Sequence, residues 1–209
     1  MNTARMMTTE KTNIAGLVAG LNAEPTLVVG LGKTGLSCVR FLVANGVPVS
    51  VTDSRVNPPC LNEFQREFKE VPCSVGGFDG NLFELAQHLI VSPGIAISEP
   101  IIKAAGERGA EIIGDVELFA RVRKAPVVAI TGSNGKSTVT MLLSEMAKNA
   151  GKDVLVGGNI GTPVLDLLLE PVPDLYVLEL SSFQLETTES LNAAASVVLN
   201  VSPDPVSYT

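Results

Sequence analysis

Histidine occurs once in the 209 residues, at His88, and cysteine three times. One histidine argues against a His-containing catalytic triad and leaves no multi-histidine metal site. Cys38, Cys60 and Cys73 are odd in number, widely separated and without C-x-x-C spacing, which argues against a disulfide framework or a cysteine zinc site. Basic residues are few: 15 Lys and Arg stand against 22 Asp and Glu, for a net charge of −7. Nucleic-acid-binding surfaces carry a basic excess, so no nucleic-acid partner is expected. No apolar run reaches the roughly 20 residues of a membrane-spanning helix, so no membrane insertion is expected. The opening MNTARMMTTEKTN has no apolar h-region and is read as a polar tail over residues 1–13, not as a secretory leader. With unpaired cysteines, this points to the cytoplasm.

What the chain does have is apolar content for a core, 45% of its residues. Short β-branched runs at 26–30, 47–51, 88–92, 126–130, 153–157, 175–180 and 195–201 read as strands. They are apolar on both faces, as in buried parallel sheets. Helix-like runs lie between them at 34–45, 61–70, 82–86, 98–108, 115–123, 136–150, 162–169 and 186–192. This alternation predicts an α/β fold: a Rossmann-like parallel-sheet domain over 14–114, then a second α/β unit over 115–209. Gly109 and Gly114 punctuate the boundary, and Asp115 is positioned to N-cap the next helix.

Two strand–loop–helix junctions carry the chemistry. In VVGLGKTG, Gly30, Gly32 and Gly35 form G-x-G-x-x-G directly after a strand. The first glycine permits the tight turn, the second lets backbone approach a phosphate, and the third lets helix and strand pack closely. Asp53 ends the next strand, where an acid meets a ribose hydroxyl; capping of the turn DSRVNPP is an equal alternative. Alone, this half reads as the nucleotide domain of an NAD-dependent oxidoreductase. A second phosphate loop then follows, in place of a dehydrogenase's substrate domain.

That second loop, AITGSNGKST, has Ile130 where the common G-x-x-x-x-G-K-[ST] pattern needs glycine. A tighter T-G-x-x-G-K-S remains. Backbone N–H groups over Gly132, Ser133, Asn134 and Gly135 would form an anion nest. Lys136 would put a charge toward terminal phosphates, and a hydroxyl at Ser137, followed by Thr138, would reach Mg²⁺. Glu179 ends the apolar strand LYVLEL. It is either a metal carboxylate, since an acid there is costly to bury unpaired, or a strand-end acid reaching solvent. Asn159 in GGNIGTP either presents its amide to a ligand or occupies a turn.

The string GLGKTG, SPGI (92–95), AITGSNGKST, GGNIG and LELSSFQLE resembles the Mur ligase family, in its D-glutamate-adding branch, over about residues 14–202. That family's shortened nucleotide loop accounts for Ile130. The resemblance implies a truncated P-loop-type ATP-binding unit after the Rossmann-like domain. It also implies an ATP-dependent ligase that joins D-glutamate to UDP-N-acetylmuramoyl-L-alanine, through an acyl phosphate, in peptidoglycan precursor synthesis. Lys33, Thr34, Asp53, Ser54, Arg55 and Gly94 would contact uridine or diphosphate. Residues 132–138 would hold ATP, Ser137 and Glu179 would hold Mg²⁺, and Asn159 would meet the muramoyl-alanine end. Catalysis would rest on Lys136, Glu179 and Asn159.

The family pattern continues past N-V-S with an acid and Asp-His-Met-Asp. Here Pro203 replaces the acid, Asp204 is kept, and Pro205 stands at the histidine position. No residue matches the family's carbamylated lysine. The expectation is a truncated form without ligase turnover, with a non-catalytic UDP-precursor-binding fragment as the alternative.

Overall fold

The computed structural model describes Leu21 and residues 24–202. The polar tail expected over 1–13 and the departures at Pro203, Asp204 and Pro205 lie outside the described residues. Two parallel sheets follow one another along the chain. The first contains β1 (Thr26–Val29), β2 (Val49–Asp53), β3 (Cys73–Val75), β4 (His88–Val91) and β5 (Glu111–Ile113), in the order β3-β2-β1-β4-β5. Helices α1 (Lys33–Ala44), α2 (Leu61–Glu67), α3 (Gly80–Leu85) and α4 (Pro100–Glu107) connect them. The second sheet holds β6 (Val127–Thr131), β7 (Val154–Gly158), β8 (Leu175–Glu179) and β9 (Ala195–Val198), in the order β7-β8-β6-β9. Its connections are α6 (Lys136–Asn149), a 3₁₀ turn at Asp166–Leu169 and α7 (Ser182–Glu186), while α5 (Asp115–Val122) leads from one sheet to the other. Every ladder in both sheets is parallel.

The two-sided apolar pattern of the strands explains the layering. Leu27 and Val29 of β1 and Leu89 and Val91 of β4 face Phe83 and Ile102 of α3 and α4. Val28, Val51 and Ile90 point the other way, into a second cluster with Leu36, Val39 and Leu42 of α1. Each such side chain contributes roughly 1.5–3 kcal/mol when fully buried. The second cluster does not stop at the first sheet. It runs through Val116 and Phe119 of α5 to Val127, Tyr176 and Leu178. Phe119 meets Tyr176 edge-on, with centroids 5.0 Å apart and planes at 87°. Such pairs add to area burial because the ring edge meets the negative ring face.

Polar contacts reinforce that seam. Glu117 of α5 accepts hydrogen bonds from the N–H groups of Glu189 and Ser190 and from the Ser190 hydroxyl, each at 2.8 Å. Ser37 of α1 donates to Asp166 at 2.6 Å. Arg123 donates to the carbonyls of Leu191 and Asn192 at 2.7 and 3.0 Å.

Several local expectations need correction. The helix read at 186–192 lies earlier, at Ser182–Glu186, because Ser181 and Gln184 form a capping box that starts it. The run 162–169 forms a 3₁₀ turn over its last four residues only. Asp115 does not cap α5: Gly114 occupies the cap position, and Asp115 is the first helical residue, buried at 2% exposure. The strand read as buried at 195–201 is shorter, and all four residues of β9 are exposed, since it forms the sheet edge. No helix among the described residues is long and apolar enough to cross a membrane.

Candidate functional site

In a parallel sheet, ligand-binding loops gather beyond the carboxyl ends of the strands, where the strand order reverses. In the first sheet that reversal falls at β1, flanked by β2 and β4. The glycine loop leaves β1 there, Asp53 ends β2, and the SPGI turn leaves β4. These segments wall a cavity of about 350 Å³. Gly30, Gly32, Lys33 and Thr34 form one side, and Asp53, Ser54 and Arg55 a second. Gly94 belongs to a third, and Asn159 closes the cavity from the second sheet. Gly35 does not line it. It packs α1 onto the loop, so closely that a Cβ there would overlap the Gly30 carbonyl oxygen.

Asp53 is 1% exposed, and its carboxylate is fully engaged. Oδ2 accepts from the Leu31 N–H at 2.7 Å and Arg55 Nη2 at 2.6 Å. Oδ1 accepts from the Arg55 N–H and Nε, both at 2.9 Å. Burial pushes this carboxyl up, but the bonds from Arg55 and Leu31 outweigh it and hold it below the usual aspartate value. Four donors occupy the roughly four lone-pair positions of a carboxylate, leaving none for a ribose hydroxyl. Asp53 therefore shapes the glycine loop and orients Arg55, whose half-exposed guanidinium faces the cavity.

The second loop leaves β6 and does not line that cavity. Glu179 stands between the two. It pairs with Ile130, just before the loop, and with Gly158, just before Asn159. Gly158 is in the left-handed region at φ +110°, and a Cβ there would overlap the Glu179 carbonyl oxygen. That close approach lets the Asn159 N–H donate to the same oxygen at 2.7 Å. The Asn159 side chain donates to Glu179 Oε1 at 3.0 Å. Glu179 is 2% exposed, and its Oε2 has no hydrogen-bond partner among the described residues. A buried carboxylate oxygen left without a donor fits a cation. Ser137, in the first turn of α6, supplies a hydroxyl on the same carboxyl-end side. No group of three or more His, Cys, Asp or Glu is placed to hold a metal among the described residues.

The Lys136 ammonium folds back onto its own loop and donates to the Gly132 carbonyl at 2.6 Å. The N–H groups of Ser133 and Asn134 are also engaged, by Asn200. Sequence reasoning missed four cavity residues around the quoted strings: Ser92, Pro93 and Ile95 of SPGI, and Gly158 beside Asn159. It also missed Gln184, whose signal is the S-x-x-Q capping box; its amide donates to Asp115 Oδ2 at 3.3 Å. A larger groove of about 690 Å³, mostly apolar, lies toward the amino ends of the strands between α1 and the 3₁₀ turn. It contains none of the candidate residues, and volume alone does not outweigh the convergent polar groups of the smaller cavity.

Family comparisons agree with this architecture. The MurD-like N-terminal domain of Mur ligases matches residues 24–114, and the Mur ligase middle domain matches 130–208. The chain belongs to the Mur ligase family. A UDP-N-acetylmuramoylalanine–D-glutamate ligase of Nitrosococcus oceani is 58% identical over 182 residues, covering 87% of this chain and 40% of that relative. The enzyme of that name from Marinobacter nauticus is 61% identical over 179 residues, covering 86% and 40%. The chain thus spans about 40% of the length of these relatives. Among solved structures, the UDP-N-acetylmuramate:L-alanyl-γ-D-glutamyl-meso-diaminopimelate ligase from Neisseria meningitides aligns with TM-score 0.53. It is 17% identical, with coverage of 88% of this chain and 62% of that one, and shows the shared fold.

Proposed function

We propose that this chain forms the precursor-binding part and the beginning of the ATP-binding part of a peptidoglycan ligase. The reaction is the ATP-dependent addition of D-glutamate to UDP-N-acetylmuramoyl-L-alanine, in the cytoplasm. Residues 14–114 are assigned to a Rossmann-like precursor domain. Residues 115–209 are assigned to part of a P-loop-type ATP-binding domain. The observation that carries this reading is the cavity at the carboxyl ends: its walls come from the glycine loop, the Arg55 turn and SPGI, and Asn159 closes it from the second sheet. A uridine diphosphate on the first three walls would point its muramoyl-alanine end toward Asn159 and Glu179.

Amide formation then needs the substrate carboxylate activated as an acyl phosphate, which the D-glutamate amine attacks with loss of phosphate. The loop over residues 132–138 would hold the ATP phosphates, its free N–H groups lying from Gly135 onward because Asn200 takes those of Ser133 and Asn134. Lys136 would leave the Gly132 carbonyl and neutralise charge on the transferring phosphoryl group. Glu179 and Ser137 would hold Mg²⁺, which when bound screens phosphate charge. Asn159 would orient Glu179 through its 3.0 Å hydrogen bond. An NAD-dependent oxidoreductase is disfavoured by the filled lone pairs of Asp53, which leave no acid for a dinucleotide ribose.

Calorimetric titration of the chain with UDP-N-acetylmuramoyl-L-alanine, ATP–Mg²⁺ and NAD tests the proposal. Saturable binding of the UDP precursor, lost in Arg55→Ala, is expected. Binding of NAD in the micromolar range, with no response to the UDP precursor, would overturn it.

A further inference from the structure

Asn200 lies two residues beyond β9, at the edge of the second loop. The N–H of Leu199 still continues the sheet, donating to the Thr131 carbonyl at 2.9 Å. At Asn200 the backbone gives way to a side chain. Its Oδ1 accepts from the Asn134 N–H at 2.8 Å, and its Nδ2 donates to the Asn134 carbonyl at 2.9 Å. The Asn200 carbonyl accepts from the Ser133 N–H at 3.1 Å, and the Ser202 N–H donates to the Ser133 hydroxyl at 3.1 Å. A carboxamide presents one acceptor and one donor in a plane, so it replaces a neighbouring strand for a single residue. Truncation to alanine removes both, and one added methylene displaces both.

The pairing has a consequence for the loop. Two N–H groups at its start, those of Ser133 and Asn134, are held by Asn200. The N–H groups left for an anion are those from Gly135 onward, at the N-terminus of the fourteen-residue α6. The loop is anchored by β6 before it, by Asn200 at Ser133 and Asn134 and by α6 after it, so its shape is set before any ligand arrives. Such preorganisation lowers the ordering cost of binding.

We propose that Asn200 is a positioning residue for the phosphate loop: its side-chain amide clips Asn134 and fixes the cradle that receives a nucleoside triphosphate through residues 135–138. The inference rests on reading residues 132–138 as the ATP site. Asn200 acts through the loop and touches no ligand. Its removal therefore affects triphosphate affinity and leaves the UDP-precursor cavity, which it does not line, unchanged.

The test titrates the chain, its Asn200→Ala and Asn200→Gln variants, and a Lys136→Ala control with ATP–Mg²⁺ and separately with UDP-N-acetylmuramoyl-L-alanine. Hydrogen exchange at the Asn134 amide, without ligand, reports the clip directly. Both Asn200 variants are expected to weaken ATP–Mg²⁺ binding about tenfold, to keep precursor affinity within about twofold, and to speed Asn134 exchange. Triphosphate affinity unchanged in both variants, while Lys136→Ala loses it, would overturn the role of Asn200 and leave the loop assignment standing. Parallel loss of both ligands would also overturn it, since Asn200 would then be supporting the fold as a whole. If Lys136→Ala itself leaves ATP–Mg²⁺ binding unchanged, the loop assignment falls and this inference with it.

Discussion

Asp115 shows how one buried acid sets a pH dependence. It is 2% exposed, its Oδ1 has no partner among the described residues, and Oδ2 receives the Gln184 amide at 3.3 Å. Burial pushes its carboxyl up from 3.8 to about 6, against the lowering effect of Gln184 and nearby backbone N–H groups. The folded chain therefore holds this proton more tightly than the unfolded one. The stability it contributes is full below about pH 4 and is lost as pH rises through about 6. A shift of about two units corresponds to roughly 3 kcal/mol. Asp115→Asn, which cannot ionise, should gain up to that amount over the unaltered chain at pH 8 and almost nothing at pH 4. Urea midpoints at the two pH values check this, and an equal difference at both would refute the assignment. Glu179 makes a second case: Glu179→Gln keeps the shape and the Asn159 contact but removes the charge. It should abolish the Mg²⁺ dependence of ATP binding and leave precursor binding intact.

At the scale of elements, α1 depends on a close approach. Gly35 lies against the Gly30 carbonyl with no space for a Cβ. Gly35→Ala should force helix and loop apart at about 1–3 kcal/mol, as overpacking does, and lower the urea midpoint with the glycine-loop cavity distorted. Gly30 and Gly35 were legible from their spacing after an apolar run, because each answers to a local backbone demand, a left-handed φ of +99° at Gly30 and the close approach at Gly35; Gly32 has an extended backbone and a Cβ there would meet nothing. The central strands were legible for a similar reason: burial on both faces leaves an unbroken apolar run. β3 and β5 were not. β3 is CSV, three residues on an edge, and β5 is EII, an edge strand whose charged start carries no apolar signal. The lone-pair saturation of Asp53 was also hidden, since it depends on where Leu31 and Arg55 place their donors. Gln184 was written in the sequence as a capping box, but its position at the cavity follows from α5 and α7 packing together, which no local pattern records.

For the molecule as a whole, the seam matters more than either sheet. Glu117 lies at its centre, 3% exposed, with Arg121 beside it at 2.9 Å. Burial pushes its carboxyl up, but the N–H groups of Ser190 and Glu189, Arg121 and the Ser190 hydroxyl bring it down to about 2. A depressed value reverses the sign found at Asp115: this stability is present above about pH 4.5 and is lost as pH falls through about 2. Glu117→Gln should lower stability by up to about 3 kcal/mol at pH 7, with the deficit shrinking in acid. Denaturation monitored from pH 7 down to pH 3 checks the trend, and a deficit constant across that range would count against it.

The cavity walled from both sheets has a consequence for how a long ligand is held. On the proposed reading, a precursor with its uridine end seated on the first sheet's loops would have its far end confined beside Asn159 at a local concentration far above that in solution. The second contact becomes intramolecular, and linkage of this kind raises affinity by about 10²–10⁴ without any new contact. UDP and a muramoyl-alanine fragment, added as separate molecules, should therefore bind far more weakly than the intact precursor. A loosened seam, as in Glu117→Gln, should erode the advantage of the intact molecule while leaving the affinity for UDP alone as it was.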